Sequence, residues 1–237
     1  MTDSRLQRLT LKEQAYRSLR DMIASHRFSS GKWINLEQLS KELGVSRTPI
    51  HQAMKQLEQE GLVTHVPNQG IRMAVMTLEM AQDLYQVREV LEGLAAALAS
   101  ERMDRETVGR MKQVLSEQAT IIRKKDLLAY SVSDFKFHQL IYDSCGNWML
   151  KEQLDIIKSR SRPLVCDVTP ILPDLYSDHQ QVVEAFAKRA PLQAEQVMRR
   201  HNRRMREAIA EATRRTGRSE APESRGIRVR SEKFLHA

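Results

Sequence analysis

Residues 77–216 repeat their apolar side chains at steps of three and four, and none of them shows the two-residue alternation typical of a strand. A segment of this length and period is expected to fold as helices that each bury one face. Only the region from Pro163 to Pro173 interrupts the pattern and is predicted to be irregular. The rest is predicted to form a bundle of six or seven helices. Its helices are expected to begin near Thr77, Asp104, Asp126, Asn147, Asp174 and Pro191.

The first 76 residues carry a different pattern, in which three short helices precede two strands. Apolar spacing over residues 11–26 predicts the first helix, which ends near His26. The second helix is capped by Asn35 and ended by Gly44. Ser46 is placed to cap the third helix, from Arg47 to about Gln59. The second and third helices, joined by a tight turn, are predicted to form a helix-turn-helix.

Two stretches rich in β-branched residues, Leu62–Val66 and Ile71–Val75, follow the third helix. The residues between them, Pro67 to Gly70, favour a turn, so a hairpin is expected. Three helices followed by a hairpin form the plan of a winged helix-turn-helix. The predicted fold class is mainly α, with a winged helix-turn-helix over residues 1–76 and an all-helical domain over residues 77–217. Residues 218–237 lose the apolar period and are predicted to form a disordered tail.

The 237-residue chain carries a formal charge of +8. The first 76 residues hold 11 basic and 7 acidic side chains, which indicates a small basic module that could contact a polyanion. No apolar run approaches the roughly 18 residues that a membrane span needs, and no secretory signal precedes the first helix. Two cysteines, Cys145 and Cys166, are too few for a disulfide framework. A cytoplasmic location is therefore expected.

The third helix carries the residues that we predict to contact DNA. In a recognition helix, side chains of the first turn meet base edges, and the free backbone N–H groups there favour phosphate. Arg47 can donate two parallel bonds to a guanine, and Thr48 can contact a phosphate or a thymine methyl. His51 and Lys55 continue the same face, where Lys55 is expected to contact phosphate. Each residue on its own is equally consistent with a solvated surface position.

Four residues of the helical region have the chemistry of a metal site. Asp134 and His138 stand one helical turn apart, and His179 and His201 each lie among apolar residues of later helices. A buried histidine is costly unless a partner satisfies it. One carboxylate and three imidazoles suit Zn²⁺, with Ni²⁺, Mn²⁺ and Fe²⁺ as alternatives. Spacing alone leaves open that these are separate, individually satisfied or surface histidines.

The segment Leu39–Pro49, followed by Gln56–Val63, closely resembles the DNA-binding domain of GntR-type bacterial transcriptional regulators. This resemblance implies a homodimer on a near-palindromic operator in double-stranded DNA. One position departs from the family, because His51 stands where the family usually has arginine, and the operator sequence is therefore left open. The DNA-binding residues that the resemblance and the helix pattern imply, including the wing turn, are Ser46, Arg47, Thr48, His51, Lys55, Asn68, Gln69 and Gly70.

The helical region resembles the metal-containing FCD ligand-binding domain of the FadR branch of GntR regulators. The resemblance rests on Asp134–His138, Cys145–Asn147, Asp178–His179, Met198 and His201. It implies that Asp134, His138, His179 and His201 bind a divalent metal and that a small carboxylate effector completes the coordination. Arg88 lies in a matching motif on the first bundle helix, where it is expected either to hold the effector carboxylate or to pair with Glu92.

These features together predict a transcriptional regulator, more often a repressor, whose operator affinity is controlled by a carboxylate metabolite. One alternative is a metal-free regulator of the same family that senses an acyl ligand. A second is a metal-dependent hydrolase, since a bound ion with an open position can activate water. We find no acid or base placed beside the four metal-ligand candidates, so the sequence favours a regulator over an enzyme.

Overall fold

The computed structural model describes residues 9–25, 27–161, 164 and 168–217. The predicted tail over 218–237, the predicted helix end at His26, and Cys166 lie outside these residues. Within them, the helices are α1 (Leu11–Ala24), α2 (Leu36–Leu43), α3 (Arg47–Gln59), α4 (Leu78–Arg102), α5 (Arg105–Lys124), α6 (Leu127–Ser144), α7 (Trp148–Arg160), α8 (Leu172–Ala187) and α9 (Pro191–Gly217), and the strands are β1 (Trp33–Ile34), β2 (Val63–Val66) and β3 (Gly70–Met73).

The N-terminal part packs α1, α2 and α3 against a three-stranded antiparallel sheet of order β1-β3-β2. Its core has buried side chains from all three helices and the sheet, including Leu19, Leu39, Ile50, Leu57 and Met73. This is the winged helix-turn-helix that the sequence predicts. Caps fix the helix starts: Thr10 and Glu13 form a capping box on α1, and the Asn35 side chain accepts from the backbone N–H of Gln38 in α2.

Three local predictions need correction here. Ser46 stands at the N-cap of α3, but its side chain makes no capping hydrogen bond. The wing strands are shorter than expected, Val63–Val66 and Gly70–Met73, although the Ala74 N–H still donates to the Leu62 carbonyl. The short strand β1, which the sequence did not indicate, pairs with β3 through Trp33 and Ile34. Two residues are too few to show an alternating pattern, so only the tertiary contact defines this strand.

The six helices α4 to α9 form the predicted C-terminal bundle. The side chains of Thr77, Asp104, Asp126 and Asn147 each accept a backbone N–H bond at the start of their helix, as expected. The α8 helix begins at Leu172, slightly earlier than predicted, because Pro173 fits in its first turn, and a 3₁₀ turn (Thr169–Ile171) precedes it. Helices α4 and α9 pack alongside each other. Buried side chains from all six helices form the core of the bundle.

None of the helices in the described part of the chain is both long and apolar enough to cross a membrane.

Candidate metal centre and nucleic-acid interface

The four predicted metal-ligand residues come together in the middle of the bundle. Helix α6 supplies Asp134 and His138, α8 supplies His179, and α9 supplies His201. One ligand atom from each residue lies within 4.8 Å of the others, and the three histidines are buried. The His179 and His201 rings stack with centroids 4.6 Å apart, and the His138 ring lies 5.3 Å from that of His201. Asp134 Oδ1 is 3.5 Å from His138 Nε2 and 3.6 Å from His179 Nε2.

Neighbouring polar groups set which nitrogen each ring directs at the centre of this cluster. His179 Nδ1 lies 3.0 Å from Gln118 Oε1, a distance that makes Nδ1 the donor and leaves the Nε2 lone pair free. His138 Nδ1 lies 3.2 Å from Glu92 Oε2 without the geometry of a hydrogen bond, and its Nε2 faces Asp134. Among the residues that the structure describes, His138 Nε2 and His179 Nε2 have no hydrogen-bond partner. Such arrangements are typical of histidines that ligate metal ions.

The protonation of these groups suits cation binding. Burial lowers the pKa of His179 to about 3 and holds the pKa of His201 well below its usual range, so both rings are neutral at pH 7. For Asp134, burial alone would raise the pKa, but Lys158 and His138 outweigh it and keep the carboxyl ionised. One anionic oxygen and neutral imidazoles are the donor set that a divalent transition metal prefers.

Glu92 is the centre of a second buried network on α4, beside the metal-ligand cluster. Its carboxylate pairs with the Arg88 guanidinium at 2.8 Å, and both side chains are only 1% exposed. The Tyr142 hydroxyl and the Asn202 amide also donate to it. The sequence offered this pair as an alternative role for Arg88. The structure shows the pair and also places Arg88 on the wall of a cavity, where its Nη1 has no hydrogen-bond partner among the described residues.

A cavity of about 340 Å³ opens beside the cluster, between α4, α6, α7, α8 and α9. Asp134 and His201 line it next to Arg88 and Lys158. Lys158 Nζ donates to Asp134 Oδ2 at 2.5 Å, which leaves the other oxygen, Oδ1, facing the histidines. Burial and the nearby Arg88 lower the pKa of Lys158 to about 8, so it is still mostly protonated at pH 7. The cavity thus brings two cationic groups to the edge of the cluster.

The predicted DNA-contacting residues are all accessible to solvent in the N-terminal part. The residues in question, all exposed, are Ser46, Arg47, Thr48, His51, Lys55, Asn68, Gln69 and Gly70. Arg47 is 68% exposed and pairs at 3.5 Å with Glu37, which is 55% exposed, so its guanidinium stays largely accessible to solvent. Asn68 adopts φ +60° and Gly70 φ +113°, the left-handed conformations that the tight wing turn requires. The exposed residues of the N-terminal part therefore include the N-terminus of α3 and the turn of the β2–β3 hairpin.

The last turn of α7 touches both the cavity and the DNA-binding part. Lys158 lies on the cavity wall, the Ser159 hydroxyl is 3.5 Å from Arg20 of α1, and the Arg160 guanidinium donates to the backbone carbonyls of Gln59 and Glu60 at the end of α3. Those carbonyls are left without intrahelical partners at a helix C-terminus, and a cation there is favourable. Three consecutive residues thus connect the buried site to the recognition helix.

Comparison with known proteins identifies the families to which the two parts of the chain are similar. Residues 11–73 match the family of bacterial regulatory proteins named gntR, and residues 83–204 match the FCD domain. The chain belongs to the GntR family of transcriptional regulators with an FCD domain. Members of these families and the similar proteins found are transcriptional regulators, not enzymes. The GntR helix-turn-helix also makes this a DNA-binding protein.

Individual relatives support this assignment. The chain is 33% identical over 144 residues to the HTH-type transcriptional regulator YdhC of Bacillus subtilis (strain 168), a match that spans 60% of this chain and 64% of that protein. It is 25% identical over 200 residues to the transcriptional repressor RspR of Escherichia coli (strain K12), spanning 83% and 88%. In fold it is similar to E. coli McbR/YncC, with TM-score 0.75, 16% identity, and coverage of 87% of this chain and 100% of that one.

Sequence reasoning missed several residues of the site. It did not single out Gln118, Lys158 or Tyr130, and it treated Glu92 only as an ion-pair partner for Arg88. Glu92 and Lys158 also correct the expectation that no acid or base lies beside the metal-ligand candidates. A usable signal was present, because Lys158 continues the buried stripe of Leu150 and Leu154 at steps of four, and a polar residue on such a stripe needs a buried partner.

Proposed function

We propose that this regulator binds a near-palindromic operator as a homodimer and that a small carboxylate metabolite, bound at a divalent metal in the FCD domain, changes its operator affinity. The observation that carries the proposal is the buried Asp134–His138–His179–His201 cluster, whose ring nitrogens converge without hydrogen-bond partners among the described residues. The proposed role is repression, which is supported by the relative RspR being named a repressor.

The buried Asp134–His138–His179–His201 cluster fits a divalent transition metal. Asp134 and the three histidines would hold it, with Zn²⁺ first and Ni²⁺, Mn²⁺ or Fe²⁺ as alternatives. When bound, the metal would supply a Lewis-acidic position that a carboxylate oxygen can occupy. Arg88, on the cavity wall with a free Nη1, is placed to hold the same carboxylate by charge-assisted hydrogen bonds. Lys158 adds a second positive group at that end.

An exposed apolar stripe on α4 supports the proposed homodimer. Val87, Val90 and Leu94 lie on one face of the helix at steps of three and four, and each is more than 40% exposed. A row of exposed aliphatic side chains of this kind marks a surface that another protein covers. Because α4 is a principal helix of the bundle, pairing through it would fix the two DNA-binding parts relative to each other, as two half-sites require.

The first test compares two variants of α3, one that removes a proposed base contact and one that removes a proposed phosphate contact. Arg47→Ala is expected to cost about 1–3 kcal/mol and to relax sequence preference, because it removes a bidentate base contact. Lys55→Ala is expected to weaken binding to all duplexes and to reduce the salt slope by about one, because it removes a phosphate contact. Fluorescence anisotropy with a duplex selected from a random pool, over a range of salt concentrations, measures both effects. Equal loss on selected and random duplexes for Arg47→Ala would contradict its role.

The α7 end provides the link from effector to operator. Effector and operator should alter each other's affinity by the same factor, commonly about 5- to 150-fold. Arg160→Ala is expected to bring this factor close to one while leaving metal content unchanged, because the guanidinium is the contact to the α3 carbonyls. Anisotropy titration with and without a bound carboxylate measures the factor.

A matched control for that variant is Arg189→Ala. Arg189 also donates to a backbone carbonyl near a helix end, that of Glu101, but within the bundle and far from α3 along the chain. It should leave the effector response intact. An undiminished response in Arg160→Ala would show that the signal reaches the DNA-binding part by another route.

A further inference from the structure

The cavity beside the metal-ligand cluster has two chemically different ends. At one end lie Asp134, His201, Arg88 and Lys158. The residues of the other end lie one or two helical turns from those of the charged end, counted along the helices of the bundle. The side chains that line this other end are Tyr85 on α4, Leu127, Leu128 and Tyr130 on α6, Leu175 on α8 and Met205 on α9.

The helix register gives the distance between the two ends. Leu127 precedes Asp134 by seven residues on α6, which is two turns or about 10 Å along the axis. Met205 follows His201 by one turn on α9, and Leu175 precedes His179 by one turn on α8. Both, like Leu127, line the same cavity. The cavity therefore runs along α6 from a charged end to an apolar end.

Three side chains near the apolar end carry hydroxyls, Tyr85, Tyr130 and Ser131. The Tyr130 hydroxyl is buried and has no hydrogen-bond partner among the residues that the structure describes, and Tyr130 is only 4% exposed. A buried hydroxyl without a partner is costly unless a ligand or water satisfies it. It lies one turn before Asp134 on α6, between the charged end and Leu127.

We propose that the effector is an amphipathic monocarboxylate: a single carboxylate for the charged end, an aryl or alkyl body about two helical turns long, and one hydrogen-bonding group on that body for Tyr130. This inference rests on the proposed function and narrows its ligand class. A polyhydroxylated acid or a tricarboxylate would place hydroxyls or charges against the apolar side chains of Leu127, Leu175 and Met205. An acyl or aryl body buries against the same side chains favourably.

Isothermal titration calorimetry of the zinc-loaded full-length protein tests the assignment. The probes are acetate, hexanoate, phenylacetate, 4-hydroxyphenylacetate, gluconate and citrate. We expect phenylacetate and hexanoate to bind at least about tenfold more tightly than acetate, because the body adds buried apolar area. Gluconate and citrate should bind more weakly than either. Among the aryl acids, 4-hydroxyphenylacetate should bind about tenfold more tightly than phenylacetate.

A conservative variant isolates the contribution of Tyr130. Tyr130→Phe removes only the hydroxyl and is expected to abolish the preference for 4-hydroxyphenylacetate while leaving phenylacetate binding unchanged. Tyr176→Phe is the matched control, because Tyr176 is a partly buried tyrosine of α8 outside the cavity lining, and it should preserve the preference.

The outcomes separate this inference from the proposed function. Tightest binding by citrate or gluconate would overturn the amphipathic class while leaving carboxylate control intact. An unchanged preference in Tyr130→Phe would overturn the role of that hydroxyl. Failure of every acid, acetate included, to bind or to change operator affinity would overturn the proposed function, and this inference with it.

Discussion

Replacing His138 or His201 by alanine is expected to lower zinc affinity by roughly 100- to 1,000-fold, so that the purified protein loses its metal on dialysis. The estimate follows from about 10–16 kcal/mol of apparent zinc binding energy shared by four ligands. Both rings are buried in the cluster with Asp134, so truncation removes a ligand without exposing an alternative one. Elemental analysis of protein purified without chelator or a nickel column measures the metal directly.

A histidine outside the cluster provides the control. His65 is exposed on β2, and His65→Ala should retain a full complement of metal. Full metal content in His138→Ala or His201→Ala would contradict the proposed centre. Absence of metal from the unmodified protein, combined with tight binding of an acyl ligand, would instead favour the metal-free alternative within the same family.

Glu92→Ala is expected to destabilise the protein by about 3–5 kcal/mol, because it leaves the buried Arg88 guanidinium without its counter-charge. For a chain of this length the loss corresponds to roughly 10 °C in Tm. Metal affinity should also fall by about 10- to 100-fold, since Glu92 orients His138 through Nδ1. Differential scanning calorimetry and zinc titration measure the two effects separately.

A double variant distinguishes loss of charge balance from loss of packing. Arg88→Met combined with Glu92→Leu removes both charges and is expected to regain part of the lost stability. The recovery is incomplete because the buried Tyr142 hydroxyl and Asn202 amide lose their acceptor. Zinc affinity should stay low in the double variant, because His138 still lacks its partner. An unchanged Tm in Glu92→Ala would show that this network does not stabilise the bundle.

The Glu92 carboxylate is also expected to make the stability of the protein depend on pH. Burial alone would raise the pKa of Glu92, but Arg88 and His138 outweigh it and hold the pKa well below 4.5. A group whose pKa is lower in the folded state stabilises the fold above its unfolded pKa and loses this effect as the pH falls. The stabilisation by Glu92 should therefore be complete at pH 7 and decline below about pH 4.5.

The sequence predicted the large elements well, because capping residues and apolar period act locally. Four helices of the bundle start at the predicted capping residue, namely Thr77, Asp104, Asp126 and Asn147. Strand β1 was missed, since two residues carry no period and depend on pairing with β3. Ser46 shows the reverse case, a suitable residue at an N-cap that makes no capping bond.

The candidate site was predictable only in part. Helical spacing suggested Asp134 and His138, and apolar surroundings suggested His179 and His201, but only the resemblance to the FCD family joined the four into one site. Gln118 and Lys158 act through tertiary contacts with other helices. The packing of α5 and α7 against the ligand helices decides these contacts. The local pattern marks Lys158 as a polar residue on a buried stripe but does not identify its partner.

Helix α4 presents one face to the buried site and the opposite face to solvent. Arg88 and Glu92 point into the protein interior, while Val87, Val90 and Leu94 point to solvent. A helix is only about 10 Å across with its side chains. A second protomer seated on the outer face would thus lie one helix thickness from the effector carboxylate. Occupancy of one subunit could then alter affinity in the other without passing through DNA, and binding curves for the free dimer would depart from a simple hyperbola.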